Sequence, residues 1–378
     1  MSRFNENDEP AHTDSIPMTM KNLFWLCMLC ASGQVQAQID TSDAHLTFSG
    51  YAEIYYSYAF SQPRDHQRPA FLYSHNRHNE FNLNLGIIKT TYTTDRLRAN
   101  IALAAGTYLN ANYATEPGGF QHIYEANAGY KLSSRKNVWI DAGILASHIG
   151  FESAVSKDCW ALTRSIPAEN SPYYESGIKL TYQSGNSKWL LSGLLLNGWQ
   201  HIHRPDGNNS ISLGTQITYT SGNKLTLNYS TFIGNDKPDA AKQMRYFQNF
   251  YGIVKWTNSV EMTIGFDLGL EQKTPGALKY FSWYSPVMLI KCSLGDHWSI
   301  TGRAEGYVDQ NGVTISTGTP NGLQLFGTSL NLDCEIRANA VWRVEGRWLK
   351  SKDTLFVDQN GFPARSDFNL TSSIAVSF

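Results

Sequence analysis

Two histidine pairs have a spacing that could bind a metal ion. They are His75-x-x-His78 and His201-x-His203. Zinc sites need three or four ligands, and neither pair has a third ligand fixed by spacing. Both pairs fall in predicted loops. We therefore predict no metal site.

Two serine–lysine pairs match the S-x-x-K signature of some hydrolases, at Ser133-x-x-Lys136 and Ser221-x-x-Lys224. Both lie in or beside predicted tight turns, where serine and lysine are ordinary residues. The chain has no G-x-S-x-G, Walker A or dinucleotide-binding fingerprint. A lipid hydrolase built into a barrel wall is a further alternative, but no His–Ser pair repeats on adjacent strands. We predict neither an enzyme nor a cofactor.

Composition narrows the classes of fold. Of the 378 residues, 42% are hydrophobic, 17% charged and 13% aromatic. A helical membrane bundle would need several apolar runs of about 20 residues, and the sequence has none. The low charge and the many aromatic residues exclude a disordered chain. The formal net charge of −1 gives no basic surface for nucleic acid.

The N-terminal region has the pattern of a secretory signal peptide. A lysine at 21 precedes the apolar run 23–30, and Val35-Gln36-Ala37 offers a small-x-small cleavage site. We predict that 1–37 is an N-terminal extension plus signal peptide, and that 38–378 is one domain. Because residues 1–17 are polar, we expect translation to start at Met18 or Met20. Cleavage would leave three cysteines, too few for a disulfide framework.

The rest of the chain alternates with period two. In 260–271, for example, Ile264 and Phe266 fall on one face, and Asp267 and Glu271 fall on the other. Such alternation is typical of strands with one apolar and one polar face. We predict strands at 46–60, 79–93, 96–109, 121–132, 137–147, 173–183, 187–199, 210–220, 224–234, 245–256, 260–271, 281–293, 297–308, 322–335, 340–350 and 367–378.

The predicted connections alternate between short turns and longer loops. That asymmetry is typical of an outer-membrane barrel with short periplasmic turns and longer outer loops. A sheet in lipid must close, because each unpaired backbone group there costs several kcal/mol. We therefore predict an all-β fold, a closed antiparallel transmembrane β-barrel of about 16 strands.

Aromatic residues near strand ends fit this interpretation, because tryptophan and tyrosine favour the headgroup boundary. A terminal aromatic, Phe378, follows the last alternating strand, and we expect it to be recognised by the barrel-insertion machinery. Ordinary packing is the alternative for any single tryptophan. The tryptophans in question are Trp189, Trp199, Trp256, Trp283, Trp298, Trp342 and Trp348.

Several segments resemble the OmpL-like β-barrel porin-2 family. The likeness is carried by Phe48-Ser49-Gly50-Tyr51-Ala52-Glu53-Ile54-Tyr55-Tyr56-Ser57-Tyr58, by 79–85, by 96–108 and by 147–180. It runs over most of 46–378. The resemblance implies an outer-membrane channel without enzymatic activity.

If the apolar face meets lipid, the polar face lines the lumen. An Arg or Lys facing lipid at mid-depth would cost about 2–4 kcal/mol, which fixes this register. A barrel this wide leaves a water channel. On three neighbouring strands we expect either a basic ladder facing or paired with acids, which would set ion preference, or a solvated ion-pair network that only keeps the wall wet. The predicted pore-lining residues are Arg303, Glu305, Asp333, Glu335, Arg343, Glu345 and Arg347.

The longest predicted loop, 148–172, is the third long one. We predict that it folds inward as a constriction loop, with an exposed surface loop as the alternative. Its charged residues are Glu152, Lys157, Asp158, Arg164 and Glu169.

The sequence thus predicts an exported outer-membrane porin, a passive diffusion channel for small hydrophilic solutes or ions. The alternative is a non-conducting barrel that acts as a receptor or adhesin through its outer loops. The expected partners are outer-membrane lipid, the insertion machinery, small hydrophilic solutes and further copies of the chain in a homo-oligomer. No nucleic acid is expected.

Overall fold

The computed structural model describes residues 44–378, which form a closed barrel of sixteen antiparallel strands. The interpretation of 1–37 as extension and signal peptide lies outside the described residues. The barrel strands are β1 His45–Ala59, β2 Phe81–Thr93, β3 Leu97–Ala105, β4 Ile123–Lys131, β5 Asn137–Ala146, β6 Tyr174–Gln183, β7 Trp189–Leu196, β8 Ser212–Ser221, β9 Leu225–Gly234, β10 Arg245–Lys255, β11 Val260–Gln272, β12 Tyr280–Ser293, β13 Trp298–Asp309, β14 Leu323–Arg337, β15 Ala340–Ser351 and β18 Ser366–Ser377.

Each strand pairs with its neighbours in sequence, and β1 pairs with β18 to close the ring. The last residue takes part in the closure. Gly50 N–H donates to the Phe378 carbonyl at 2.7 Å, and Phe378 N–H donates to the Gly50 carbonyl at 3.0 Å. The barrel therefore leaves no open sheet edge in the membrane.

Short turns and long loops alternate around the ring, as predicted. The turns lie at one end of the barrel, and the loops, named L1 to L8 in chain order, lie at the other. Their ranges are 60–80, 106–122, 147–173, 197–211, 235–244, 273–279, 310–322 and 352–365. L8 holds the small hairpin of β16 Phe356–Val357 and β17 Pro363–Ala364. Short helices occur at Thr107–Asn112 and Ile166–Glu169, and 3-10 turns at Gly118–His122, Ser156–Asp158 and Asp239–Ala241. Within 44–378 no helix is long and apolar enough to cross a membrane.

The alternation predicts the two faces of the wall correctly. On β11, Ile264 and Phe266 are exposed on the outside, whereas Asp267 and Glu271 are buried on the inside. On β18, Leu370 and Ile374 face outward. The apolar outer face is the one that a barrel presents to lipid.

The predicted end of β3 at residue 109 is wrong. The strand stops at Ala105, and the helix Thr107–Asn112 follows. Gly106 has a φ of 139°, which L side chains rarely adopt. An added Cβ there would also overlap the Asn84 carbonyl. The glycine turns the chain out of the strand at this point.

The loop end of the lumen holds an apolar cluster that the alternation does not predict. Phe232, Phe247 and Trp283 point inward from the wall and are buried. Phe71 of L1 and Ile166 of L3 pack against them in the same cluster. This interior packing holds the long loops down over the barrel.

The prediction of a headgroup-boundary position is therefore wrong for two of the tryptophans. Trp283 is 1% exposed and stacks on Phe247 with a centroid distance of 6.1 Å. Trp199 packs edge-on against the same Phe247 ring. Exposed tryptophans are found on the outer face or in the turns, at Trp189, Trp256, Trp298 and Trp342.

Candidate functional site

Six of the seven predicted pore-lining residues meet on one side of the lumen. We call them the wall cluster, which consists of Arg303, Glu305, Asp333, Arg343, Glu345 and Arg347. All six are at least nine-tenths buried. The seventh, Glu335, lies at the turn end of β14 and is exposed.

The wall cluster is a network of paired charges. Arg343 grips Asp333 with Nε at 2.7 Å and Nη2 at 2.9 Å. Arg347 Nη2 lies 2.6 Å from Glu305 Oε1. Buried ions of this kind are tolerated only when paired and further hydrogen-bonded. Paired charges belong to both predicted arrangements, so the choice between them stays a prediction. The structure adds a covering of protein that sequence reasoning did not anticipate.

That covering is L3, which runs inside the barrel. Thr163 N–H donates to Glu345 Oε2 at 2.6 Å, and Arg303 Nη1 donates to the Thr163 carbonyl at 2.6 Å. Ile166 N–H donates to Glu305 Oε2 at 2.7 Å. The wall cluster thus satisfies backbone groups of L3 that would otherwise be buried without partners.

L3 is also tied to β1 and β15 through Ser156. The Ser156 hydroxyl donates to Glu53 Oε1 at 2.5 Å, and its carbonyl accepts from Arg343 Nη1 at 2.5 Å. Apolar contacts reinforce these bonds, because Ala161 packs with Leu289 on the inner wall. The sequence gives no signal for either anchor, because each joins residues far apart in the chain.

The five charged residues predicted for the constriction loop have different surroundings. Arg164 is fully buried and donates to the Ala161, Leu162 and Ala154 carbonyls of its own loop. Lys157 Nζ donates to Ser377 Oγ at 2.7 Å. Asp158 is exposed.

The other two are acids, of which Glu152 is partly buried and Glu169 is buried. Glu152 accepts hydrogen bonds from the backbone and hydroxyl of Ser165. Glu169 accepts from Tyr73 N–H at 3.0 Å and Ser74 N–H at 3.1 Å, which links L3 to L1. Burial raises the pKa of Glu169 above its usual value, although nearby Arg164 acts in the opposite direction.

The opposite side of the lumen, on β3 to β7, keeps an open polar cavity of about 370 Å³. Arg98 grips Asp141 with Nε at 2.6 Å and Nη2 at 2.5 Å, and its guanidinium lies 4.3 Å from the centre of the Trp139 ring. Lys89 lies 2.5 Å from Glu125. Asp141 is buried, but Arg98, Lys89 and Glu125 are only partly buried, so water reaches them.

Lys179 also lines this cavity and is partly exposed. Within residues 44–378, no carboxylate lies within 4.0 Å of its ammonium group or of that of Lys131, which points inward nearby on β4. The open side therefore carries more positive than negative charge at short range.

The predicted histidine and serine motifs are used structurally. His75 is fully buried, with Nε2 3.1 Å from Glu53 Oε1. His78 Nδ1 accepts from Ala59 N–H at 2.9 Å. Within 44–378 no three His, Cys, Asp or Glu side chains are grouped as metal ligands. The Ser133 hydroxyl accepts from backbone N–H groups of its own turn.

Sequence reasoning missed a third anchor of L3, which is His148. His148 Nδ1 lies 2.9 Å from Glu175 Oε2, and Nε2 lies 2.8 Å from the Thr231 carbonyl. Burial alone would lower the pKa of His148, but the Glu175 carboxylate and both hydrogen bonds raise it overall.

Solved structures of outer-membrane proteins have the same barrel fold as this chain. An anion-selective porin from Comamonas acidovorans has a TM-score of 0.59 at 10% identity, over 89% of this chain and 100% of that one. The outer membrane channel DcaP of Acinetobacter baumannii has a TM-score of 0.59 at 10% identity, over 89% and 98%. OmpT of Vibrio cholerae has a TM-score of 0.58 at 8% identity, over 90% and 99%. At such identities the likeness shows the fold alone.

No curated protein matches the chain. The family described as "Putative beta-barrel porin-2, OmpL-like" matches residues 45–378, which is nearly the whole described barrel. The chain therefore belongs to the OmpL-like β-barrel porin-2 family and is an outer-membrane porin.

Proposed function

We propose that this porin passes small hydrophilic solutes or ions passively along the β3 to β7 side of its lumen, and that L3 is the constriction. The observation that supports this most is the division of the interior. L3 is bonded to β1, β13 and β15, whereas the polar cavity lies on the other side. Water-exposed polar walls are what a diffusion channel needs.

The charges on the open side favour anions. Lys131 and Lys179 add to the local positive charge. The acids nearby are each paired, Asp141 with Arg98, Glu125 with Lys89 and Glu175 with His148. Rings or rows of one charge bias a pore toward the opposite ion. One structural neighbour is described as anion-selective.

Planar-bilayer recordings of the full chain test this proposal. We expect open channels in the parent protein and a larger conductance when 153–164 of L3 is replaced by a short glycine–serine linker. The matched control shortens L6, which is exposed and is not bonded to the wall cluster. No current from folded, inserted barrels would reject the channel and favour the receptor or adhesin alternative. A folded L3 variant with unchanged conductance would reject the constriction.

Export and assembly form a second part of the proposal. Residues 1–37 would direct export, and Phe378 would be read by the insertion machinery. Phe378 is 77% exposed while its backbone is paired with Gly50. N-terminal sequencing of the mature protein and insertion of a chain lacking Phe378 test the two points. One neighbour is described in a trimer form, and cross-linking in detergent tests for a homo-oligomer here. We propose no enzymatic activity, which a lipid-hydrolysis assay with the purified barrel tests.

A further inference from the structure

Arg68 in L1 is a buried cation without a carboxylate partner. It is 5% exposed, and its single side-chain hydrogen bond runs from Nη1 to the His75 carbonyl at 3.4 Å. Its Nε and Nη2 atoms have no hydrogen-bond partner among residues 44–378. Buried polar groups are nearly always hydrogen-bonded, so each exception needs an explanation.

The unpartnered edge of Arg68 is the one that other arginines of this chain use to hold carboxylates. Nε and Nη2 donate together in the ion pairs of Arg77, Arg98, Arg245, Arg343 and Arg347. Two parallel N–H groups on one edge match the two oxygens of a carboxylate. The edge of Arg68 that could hold a carboxylate is therefore empty, and it is closed to solvent in this structure.

The acids around Arg68 do not fill this fork. Glu345 is bonded to Arg303 and to the Thr163 backbone, and Glu169 is bonded to L1 backbone N–H groups. Asp367 is the remaining neighbour, yet no Arg68–Asp367 pair within 4.0 Å is formed in the described barrel. Asp367 is itself 5% exposed, with Oδ1 unpartnered.

Both residues line the same cavity of about 570 Å³ at the loop end of the barrel. Its walls are formed by 59–69 of β1 and L1, by 355–361 of L8 and by Asp367. Small-molecule sites usually measure about 300–1,000 Å³. Burial lowers the pKa of Arg68 to about 10, which leaves the guanidinium charged near neutral pH.

The other charged residues that line the cavity are Arg64, Asp65 and Asp358. The two acids are used in turns. Asp65 Oδ1 accepts from Gln67 N–H at 3.1 Å, and Asp358 Oδ1 accepts from Asn360 N–H at 2.8 Å. Arg64 is exposed, and none of the ion pairs in the described barrel includes it. Among residues 44–378, the buried charges of this cavity outside any ion pair are thus one cation, Arg68, and one anion, Asp367, which has a hydrogen bond with Ser61.

We propose that this cavity binds a small zwitterion of the amino-acid or short-peptide class, with its carboxylate on Arg68 and its ammonium group on Asp367. A simple anion would satisfy Arg68 but face the Asp367 carboxylate. A simple cation would satisfy Asp367 but face the Arg68 guanidinium. A molecule that carries both charges satisfies both groups. Binding at this cavity would be a function separate from conduction through the lumen.

Binding is measured on the full-length barrel in detergent by saturation-transfer NMR, with L-alanine and diglycine as probes and with acetate and ethylammonium as single-charge comparisons. We expect both zwitterions to bind more tightly than either comparison ion. Arg68→Met should weaken zwitterion binding about tenfold or more, because a charge-assisted fork is lost. Arg64→Met removes the same charge from the same cavity and should change binding less than about twofold, as for a weak exposed charge.

Two further variants keep the test decisive if Arg68→Met does not fold. Arg68→Lys retains the charge without the fork and should weaken the zwitterions clearly. Asp367→Asn should weaken the zwitterions but strengthen acetate, because a repelling carboxylate is removed. Absence of zwitterion binding to the parent, equal loss in Arg64→Met, or acetate binding unaffected by Asp367→Asn would each overturn the proposal. Since no current is recorded, a failure here leaves the channel proposal standing.

Discussion

Replacing Arg343 by methionine should release part of L3 from the wall. The Arg343 guanidinium is buried between Asp333 of β14 and the backbone of L3. It donates to the Ser156 carbonyl at 2.5 Å and to the Cys159 carbonyl at 2.9 Å. Methionine fills similar space but donates nothing. Asp333 and both carbonyls would lose their charged donor.

The expected cost follows from these bonds. Arg343 also donates to the Trp160 carbonyl of L3 at 3.2 Å. Hydrogen bonds to a charged group contribute about 1.5–3 kcal/mol each, so the two shorter bonds to L3 alone contribute about 3–6 kcal/mol. At 1.4 kcal/mol per factor of ten, the ratio of docked to released loop falls by about 10² to 10⁴. Thr163 and Ile166 keep their own bonds to Glu345 and Glu305. Release should therefore be confined to the first half of L3.

Single-channel recording measures the effect directly. We expect a higher mean conductance and added current noise in Arg343→Met, because the loop leaves its place in the lumen for part of the time. Arg337→Met is the matched control, since Arg337 is exposed at the turn end of β14. Heat-modifiable mobility on gels confirms that each barrel is folded.

A folded Arg343→Met barrel with the conductance and noise of the parent would refute the argument. It would mean that the remaining anchors hold L3 without Arg343. An equal change in the Arg337 control would assign the effect to net charge and not to the anchor.

Three further predictions concern other parts of the lumen. Lys179→Glu should shift the reversal potential in a KCl gradient toward cations, whereas Lys188→Glu in an exposed turn should not; equal shifts would remove Lys179 from the path. Because the pKa of His148 is raised by Glu175, the stabilising contact is complete below the ordinary histidine pKa and is lost as pH rises through the raised value. Current noise should increase over that range and lose this pH dependence in His148→Gln; an unchanged profile would contradict the idea. Gly106→Val should lower barrel stability by about 1–3 kcal/mol in urea titrations, because valine strains a positive φ; no loss would show that the backbone relaxes freely.

The wall could be predicted from the sequence because its rule is local. Each strand needs only alternating apolar and polar residues, and both faces can be counted along 260–271 or 367–378. Even the poorly alternating segments 187–199 and 245–256 formed strands, Trp189–Leu196 and Arg245–Lys255, because neighbours on both sides supplied pairing partners. The positions of the short turns could be predicted for the same reason, because each lies where the alternation of one strand ends and that of the next begins.

The interior could be predicted only in part. Sequence reasoning put six charged residues of β13 to β15 on the polar face, and in the structure they lie on neighbouring strands. That they line the path of solutes stays a prediction. That L3 would cover them depends on bonds such as Thr163 to Glu345, which are long-range and have no repeating pattern. Trp283 was misassigned because an inward tryptophan and a boundary tryptophan look alike in one strand.

The seam between the first and last strands imposes an order on biogenesis. Hydrogen bonds join Gly50 to Phe378, almost the full length of the barrel sequence apart. The ring closes only when the last strand pairs with the first, so the hairpins between them form part of an open sheet until then. Contacts of such long range form slowly. Until that pairing forms, the edges of the first and last strands keep unpaired backbone groups, which is a consequence of the topology itself.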